Sequence, residues 1–97
     1  MATYILLATY TEQGIKGIKD TVKRTETVRE MAKKAGLTMK ESYWTLGQYD
    51  VVAVFEAPDD ESMTAFALSV AKLGNVKTHT LRAFSGKEMT AILGKTA

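Results

Sequence analysis

The sequence predicts an α+β domain of ferredoxin-like type, with element order βαββαβ, a four-stranded antiparallel sheet and two helices on one face. Three observations lead there. Two short, almost continuous apolar runs occupy residues 3–10 and 51–55, two segments carry apolar residues at alternating spacings of three and four, and Gly47-Gln48-Tyr49-Asp50 breaks a stretch of strand-forming residues. Right-handed crossovers then place both helices on the same side of the sheet.

The elements follow in order. Residues 3–10 are apolar and aromatic without helical spacing, and their length suits a strand buried on both faces. Thr11-Glu12-Gln13-Gly14 has turn chemistry. Ile18, Val22, Thr25, Val28, Ala32 and Ala35 then mark one face of a helix, with Lys33 and Lys34 near its negative end and Gly36 as a left-handed cap. Residues 37–46, which include Tyr43, Trp44 and Thr45, form a hairpin with residues 51–55 across the Gly47–Asp50 break. Pro58-Asp59-Asp60-Glu61 starts a second helix with the stripe Met63, Phe66, Ala67, Val70 and Leu73, and Gly74-Asn75 ends it. Residues 76–84 make the fourth strand, and residues 87–93 a short terminal helix.

The 97 residues are expected to form one domain, 1–97, with 45% apolar and 25% charged residues supporting a small core. A net charge of +2 favours neither nucleic-acid nor membrane partners. Residues 16–34 hold seven basic and three acidic residues, and Glu56, Asp59, Asp60 and Glu61 cluster the opposite sign. Such faces are solvated helix surface or complementary oligomer contacts. No cysteine is present, so disulfides and thiolate chemistry are excluded. Met1 to Ala8 lacks a basic start and falls far short of the roughly 20 residues that span a bilayer, so a cytoplasmic protein is expected.

In this topology strands one and three are central, and both of their faces are apolar. Helices cover only one. Ile5, Leu7, Val52 and Val54 or their neighbours would then leave a patch larger than monomers usually tolerate, which predicts a homodimer or higher oligomer packed sheet to sheet.

Gly47-Gln48-Tyr49-Asp50 before Val51-Val52, and Glu56-Ala57-Pro58-Asp59-Asp60 after it, resemble the GYD domain family. Thr11-Glu12-Gln13-Gly14, Gly74-Asn75-Val76 and Thr80-Leu81-Arg82-Ala83-Phe84 extend the resemblance over most of the chain. It implies kinship with dimeric α/β-barrel proteins, and it carries over Gly47, Tyr49 and Asp50 as the motif positions. Two readings of that motif stand. Gly47 takes positive φ, Asp50 accepts backbone N–H bonds in the turn and Tyr49 lies across the sheet end, or else Tyr49 and Asp50 line the mouth of a pocket.

Six residues are candidates for ligand contact: Tyr10, Trp44, Tyr49, Asp50, His79 and Arg82. Tyr43 and Trp44 face opposite ways on a strand, so one of them is core and the other is free to meet a flat ligand. His79 is the only imidazole; it acts as a base only if a carboxylate orients it, and otherwise is an edge-strand residue. Arg82 clamps a carboxylate ligand or pairs with Asp50 or Glu56. Leu68 lies off its helix's stripe, and Arg29 snorkels over the edge of its own. No metal site is recognisable and no cofactor is expected. Gly14-Ile15-Lys16-Gly17 has the GxxG form of a nucleic-acid clamp but follows a strand, and residues 51–55 lack the aromatics that stack RNA bases. The sequence thus points to an oligomeric small-molecule-binding or assembly module. The alternative is a cofactor-independent enzyme of monooxygenase or lyase type, using Tyr10, Trp44, His79 and Asp50.

Overall fold

In a computed structural model describing residues 1–97, the two apolar runs pair at the centre of the sheet. β1 (Ala2–Tyr10) lies antiparallel to β3 (Val51–Ala57), with Tyr4 opposite Phe55 and Leu6 opposite Ala53. β2 (Thr38–Trp44) flanks β3 and β4 (Val76–Ala83) flanks β1, so the strand order is β2-β3-β1-β4. The expected β1 is not buried on both faces. Tyr4, Leu6 and Ala8 are buried beneath helices, whereas Ile5 and Leu7 between them are only half-buried, because no element of the chain lies over the other side.

The predicted turn after β1 is instead a helix, α1 (Glu12–Lys16), with Thr11 accepting the Gly14 N–H at 3.1 Å. Turn starts and helix N-caps select the same residue types, so the pattern at Thr11 fits both. A 3₁₀ turn at Ile18–Asp20 leads into α2 (Thr21–Lys34), and Gly36 takes φ +83° just beyond it. The stripe predicted for α2 is only partly inward: Ala32 is buried and Val28 half-buried, but Val22 is 60% exposed. α3 (Asp60–Lys72) starts at Asp59, whose carboxylate accepts the Ser62 N–H at 2.8 Å, and ends before Gly74 at φ +86°. α4 (Gly86–Leu93) opens with a reciprocal cap between Ser85 and Glu88.

The core lies between the sheet and α2 and α3. Phe55 meets Phe66 at 5.3 Å between ring centroids, and Met63 and Val70 of α3 close over Tyr4, Leu6 and Ala57. Leu37, Met39 and Ala32 extend it under α2. Leu68 is exposed, and Arg29 reaches over the helix edge to donate to the Met39 carbonyl at 2.9 Å.

Neither Tyr43 nor Trp44 is core; they are 54% and 46% exposed. A bulge at Lys40 decides which side each faces, and Trp44, on the helix side, is the last residue of β2. Met39 faces Phe55 on the helix side, and the extra residue resets the alternation so that Ser42 and Trp44 share that side while Glu41 and Tyr43 face away.

α1 is clamped to the loop between α3 and β4. The Thr11 N–H donates to the Asn75 carbonyl, the Thr11 hydroxyl to the Gly74 carbonyl at 2.6 Å, and Gln13 Nε2 to the Leu73 carbonyl. A Cβ on Gly14 would stand 2.0 Å from the Asn75 oxygen. Gly14→Ala is therefore expected to lower stability by about 2 kcal/mol or more, measured by urea denaturation.

Backbone N–H groups of Ser62 and Ser85 hold the Asp59 and Glu88 carboxyls below the usual carboxylate range. The unfolded chain takes up those protons first, so the stabilisation is present above the ordinary carboxyl pKa and is lost as pH falls through the lowered folded values. Melting temperature should drop on acidification below about pH 4, and the Asp59→Asn, Glu88→Gln double variant should show a shallower drop.

Candidate functional site

The Gly-x-Tyr-Asp turn closes one end of the sheet. Gly47 sits at φ +130°, which allows the chain to reverse toward β3. Asp50 then ties three segments together: its N–H donates to the Ala8 carbonyl at 2.9 Å, its carbonyl accepts from Thr45 N, and its carboxylate accepts the Tyr10 N–H at 2.9 Å. The last residue pair of β1 with β3 is Ala8 with Val51, so the carboxylate continues the ladder where the backbone has turned away. The Asp50 carboxylate thus accepts from the neighbouring strand, while its carbonyl closes the turn through Thr45. Tyr49 lies over the uncovered face of the sheet, edge-on to His79 with 5.9 Å between ring centroids.

The six candidate residues fall into three places. Tyr10 and Trp44 meet on the helix side through Thr21, whose hydroxyl oxygen lies 2.9 Å from the Tyr10 hydroxyl and accepts from Trp44 Nε1 at 3.0 Å. Tyr49 and His79 meet on the uncovered side, with Asp50 at the sheet end between the two faces. Arg82 is far from these groups along β4. Its guanidinium stacks on Phe84 at 4.5 Å, covers Tyr4 and pairs with Glu88 at 3.7 Å, not with Asp50 or Glu56. Glu56 pairs with Lys40 at 3.4 Å. Tyr4 donates to Asp60, and this bond raises the phenol pKa. No three His, Asp or Glu side chains gather in a way that could hold a metal ion.

Two further features have the dimensions of a site. On the uncovered face, Ile5, Leu7, Val52 and Val54 are half-buried and Leu81 and Tyr43 are about half exposed, forming a continuous apolar centre edged by Lys77, His79, Glu41 and the Lys40–Glu56 pair. On the helix side, α2 and α3 splay over the sheet and leave a cavity of about 340 Å³, floored by Ala8, Ala53 and Ser42. Arg24, Thr21 and Ser42 on its wall escaped the sequence reading. A threonine and an arginine on a helix read as solvated surface, and Ser42 faces inward only because of the bulge at Lys40.

These features define a small α+β domain with a bare apolar sheet face and a cavity beneath its helices. A family profile for the GYD domain matches residues 4–93, and the chain belongs to the GYD domain family. It is 34% identical over 94 residues to the "Glutamine synthetase and cystathionine beta-lyase binding protein" of Thermus thermophilus, covering 96% of this chain and 99% of that one. Among solved structures, FFRP-DM1 superposes with TM-score 0.64 at 21% identity, covering 87% of this chain and all of that one. TTHA0845 from Thermus thermophilus does so with TM-score 0.59 at 24% identity, over 89% and 96% of the two chains. Both likenesses concern the fold.

Asp50→Ala leaves the Tyr10 N–H without its acceptor and should cost about 2 kcal/mol in urea denaturation, the usual worth of a hydrogen bond to a charged group. Asp50→Asn, which keeps an oxygen in place, should cost less than half of that.

Proposed function

We propose that this chain, a single GYD domain over residues 1–97, is a cytoplasmic binding and assembly module that associates with itself through the uncovered face of its sheet. The observation that carries this reading is the apolar centre of that face, Ile5, Leu7, Val52, Val54 and Leu81, over which no element of the chain lies. Strands about 4.8 Å apart and roughly 26 Å long give such a face an area on the order of 500 Å² before side-chain relief. Two such faces bury about 1,000 Å² in total, the small end of specific interfaces. The polar groups of the face sit at the rim, where interfaces commonly keep theirs, and Tyr43, Tyr49 and His79 add rings that fill contacts at little cost in side-chain entropy. The Thermus relative, named for binding two enzymes, supports a role in contacts between proteins.

Sedimentation equilibrium at micromolar protein tests the reading. The wild type should sediment as a dimer or larger, and Val54→Asp, which places a charge in the apolar centre, as a 10.6 kDa particle with unchanged circular dichroism. A wild-type monomer at tens of micromolar, or an unaltered oligomer in the variant, would sink it.

A further inference from the structure

A cavity lies on the other side of the sheet, away from the uncovered face. We propose that it binds a small organic acid: a monocarboxylate whose apolar body enters between α2, α3 and the sheet. This site does not rest on self-association, because the two surfaces lie on opposite faces.

Small side chains create the space. Where α2 passes over the sheet it presents Thr21 and Thr25, and beneath them stand Ala8, Ala53 and Ser42, so the layers do not meet. At about 340 Å³ the cavity lies within the range of ligand pockets, and at about 30 Å³ per water-sized group it admits on the order of ten non-hydrogen atoms. Its lining is mostly aliphatic and aromatic, which suits a hydrocarbon body.

Thr25 and Thr27 on its wall donate to backbone carbonyls of their own helix, but other donors at the cavity are left without acceptors. The Ser42 hydroxyl is buried and has no hydrogen-bond partner. Trp44, Tyr10 and Thr21 bring three N–H and O–H protons to two mutual bonds, so whichever hydroxyl donates between Tyr10 and Thr21, one proton of the trio is left over. Arg24 takes part in none of the chain's ion pairs, and of its five N–H protons only one has an acceptor, the Gly14 carbonyl at 3.1 Å from Nη2. Gly14-Ile15-Lys16-Gly17 supplies the seat for that guanidinium: Gly14 offers its carbonyl, and a Cβ on Gly17 would stand 3.0 Å from Arg24 Nη1. No Asp or Glu lines the cavity. A ligand there meets a cation and free donors, with no counterion for an amine, and a carboxylate with an apolar body satisfies each of these conditions.

Isothermal titration of the full chain with 3-phenylpropanoate and 4-methylpentanoate, against 3-phenylpropanamide, tests the site. Both acids should bind and raise the melting temperature, with the amide at least tenfold weaker. Arg24→Gln should weaken the acids at least tenfold and leave the amide unchanged. Gly17→Ala, which pushes the guanidinium from its seat, should weaken the acids alone. Ser42→Val, which removes the buried hydroxyl and narrows the floor of the cavity by about one methyl group, should weaken the acids at least tenfold while circular dichroism and the melting transition are kept. Val54→Asp should bind the acids as the wild type does, which separates this site from the uncovered face. No binding of either acid at millimolar concentration, equal affinity for acid and amide, or acid binding that is undiminished in Ser42→Val or disappears in Val54→Asp would overturn the assignment.

Discussion

The antiparallel pairing of β1 with β3 sets the terms for the rest of the molecule. Both strands carry apolar side chains at successive positions, and a pleated strand sends neighbours to opposite faces, so the pair must hide Tyr4, Leu6, Ala53 and Phe55 on one side and Ile5, Leu7, Val52 and Val54 on the other. Two helices suffice for the first side. α3 lies toward β4 and β3 and buries Met63, Phe66 and Val70, while α2 sits toward β2 and is anchored by Ala32, Leu37 and Met39. What the helices cannot do is cover both sides, and the second remains an apolar sheet surface.

The residues for which the family is named have a structural task that follows from the same pairing. Where β3 begins, its backbone has turned away from β1 and can no longer accept the Tyr10 N–H; the Asp50 carboxylate does so in its place. Positive φ at Gly47 lets the chain arrive there, and Tyr49 spans to His79 along the rim of the uncovered face. One short turn thereby joins the end of the ladder to the edge of the proposed contact surface. On the helix side the same end of the sheet carries Tyr10, Thr21 and Trp44, so the motif also braces the strand whose hydroxyl stands at the cavity.

The four strands, the two long helices and their order are legible from residue pattern, because hydrophobic period, cap chemistry and glycine position are local properties. The helix cap at Asp59, the left-handed Gly36 and Gly74, and the centrality of β1 and β3 are all written in short stretches of chain. Local chemistry also explains where the reading misled. Thr11-Glu12-Gln13-Gly14 suits a turn as well as a helix start, and the clamp onto Leu73, Gly74 and Asn75, some sixty residues away, accompanies the helix.

Residue pattern alone is enough for a four-stranded α+β sheet with more apolar surface than its helices can cover, since burial follows from the alternation of side chains along each strand. Which side chains meet is settled by the packing of elements on one another. A single bulged residue, Lys40, sends Ser42 and Trp44 to the helix side and Tyr43 to the open side. It is also the fold that separates Tyr10 and Trp44 from His79, sends Arg82 to Glu88, and leaves Arg24 beside an apolar cavity. Register shifts, helix splay and long-range ion pairs depend on distances between elements, which no local pattern of residues encodes.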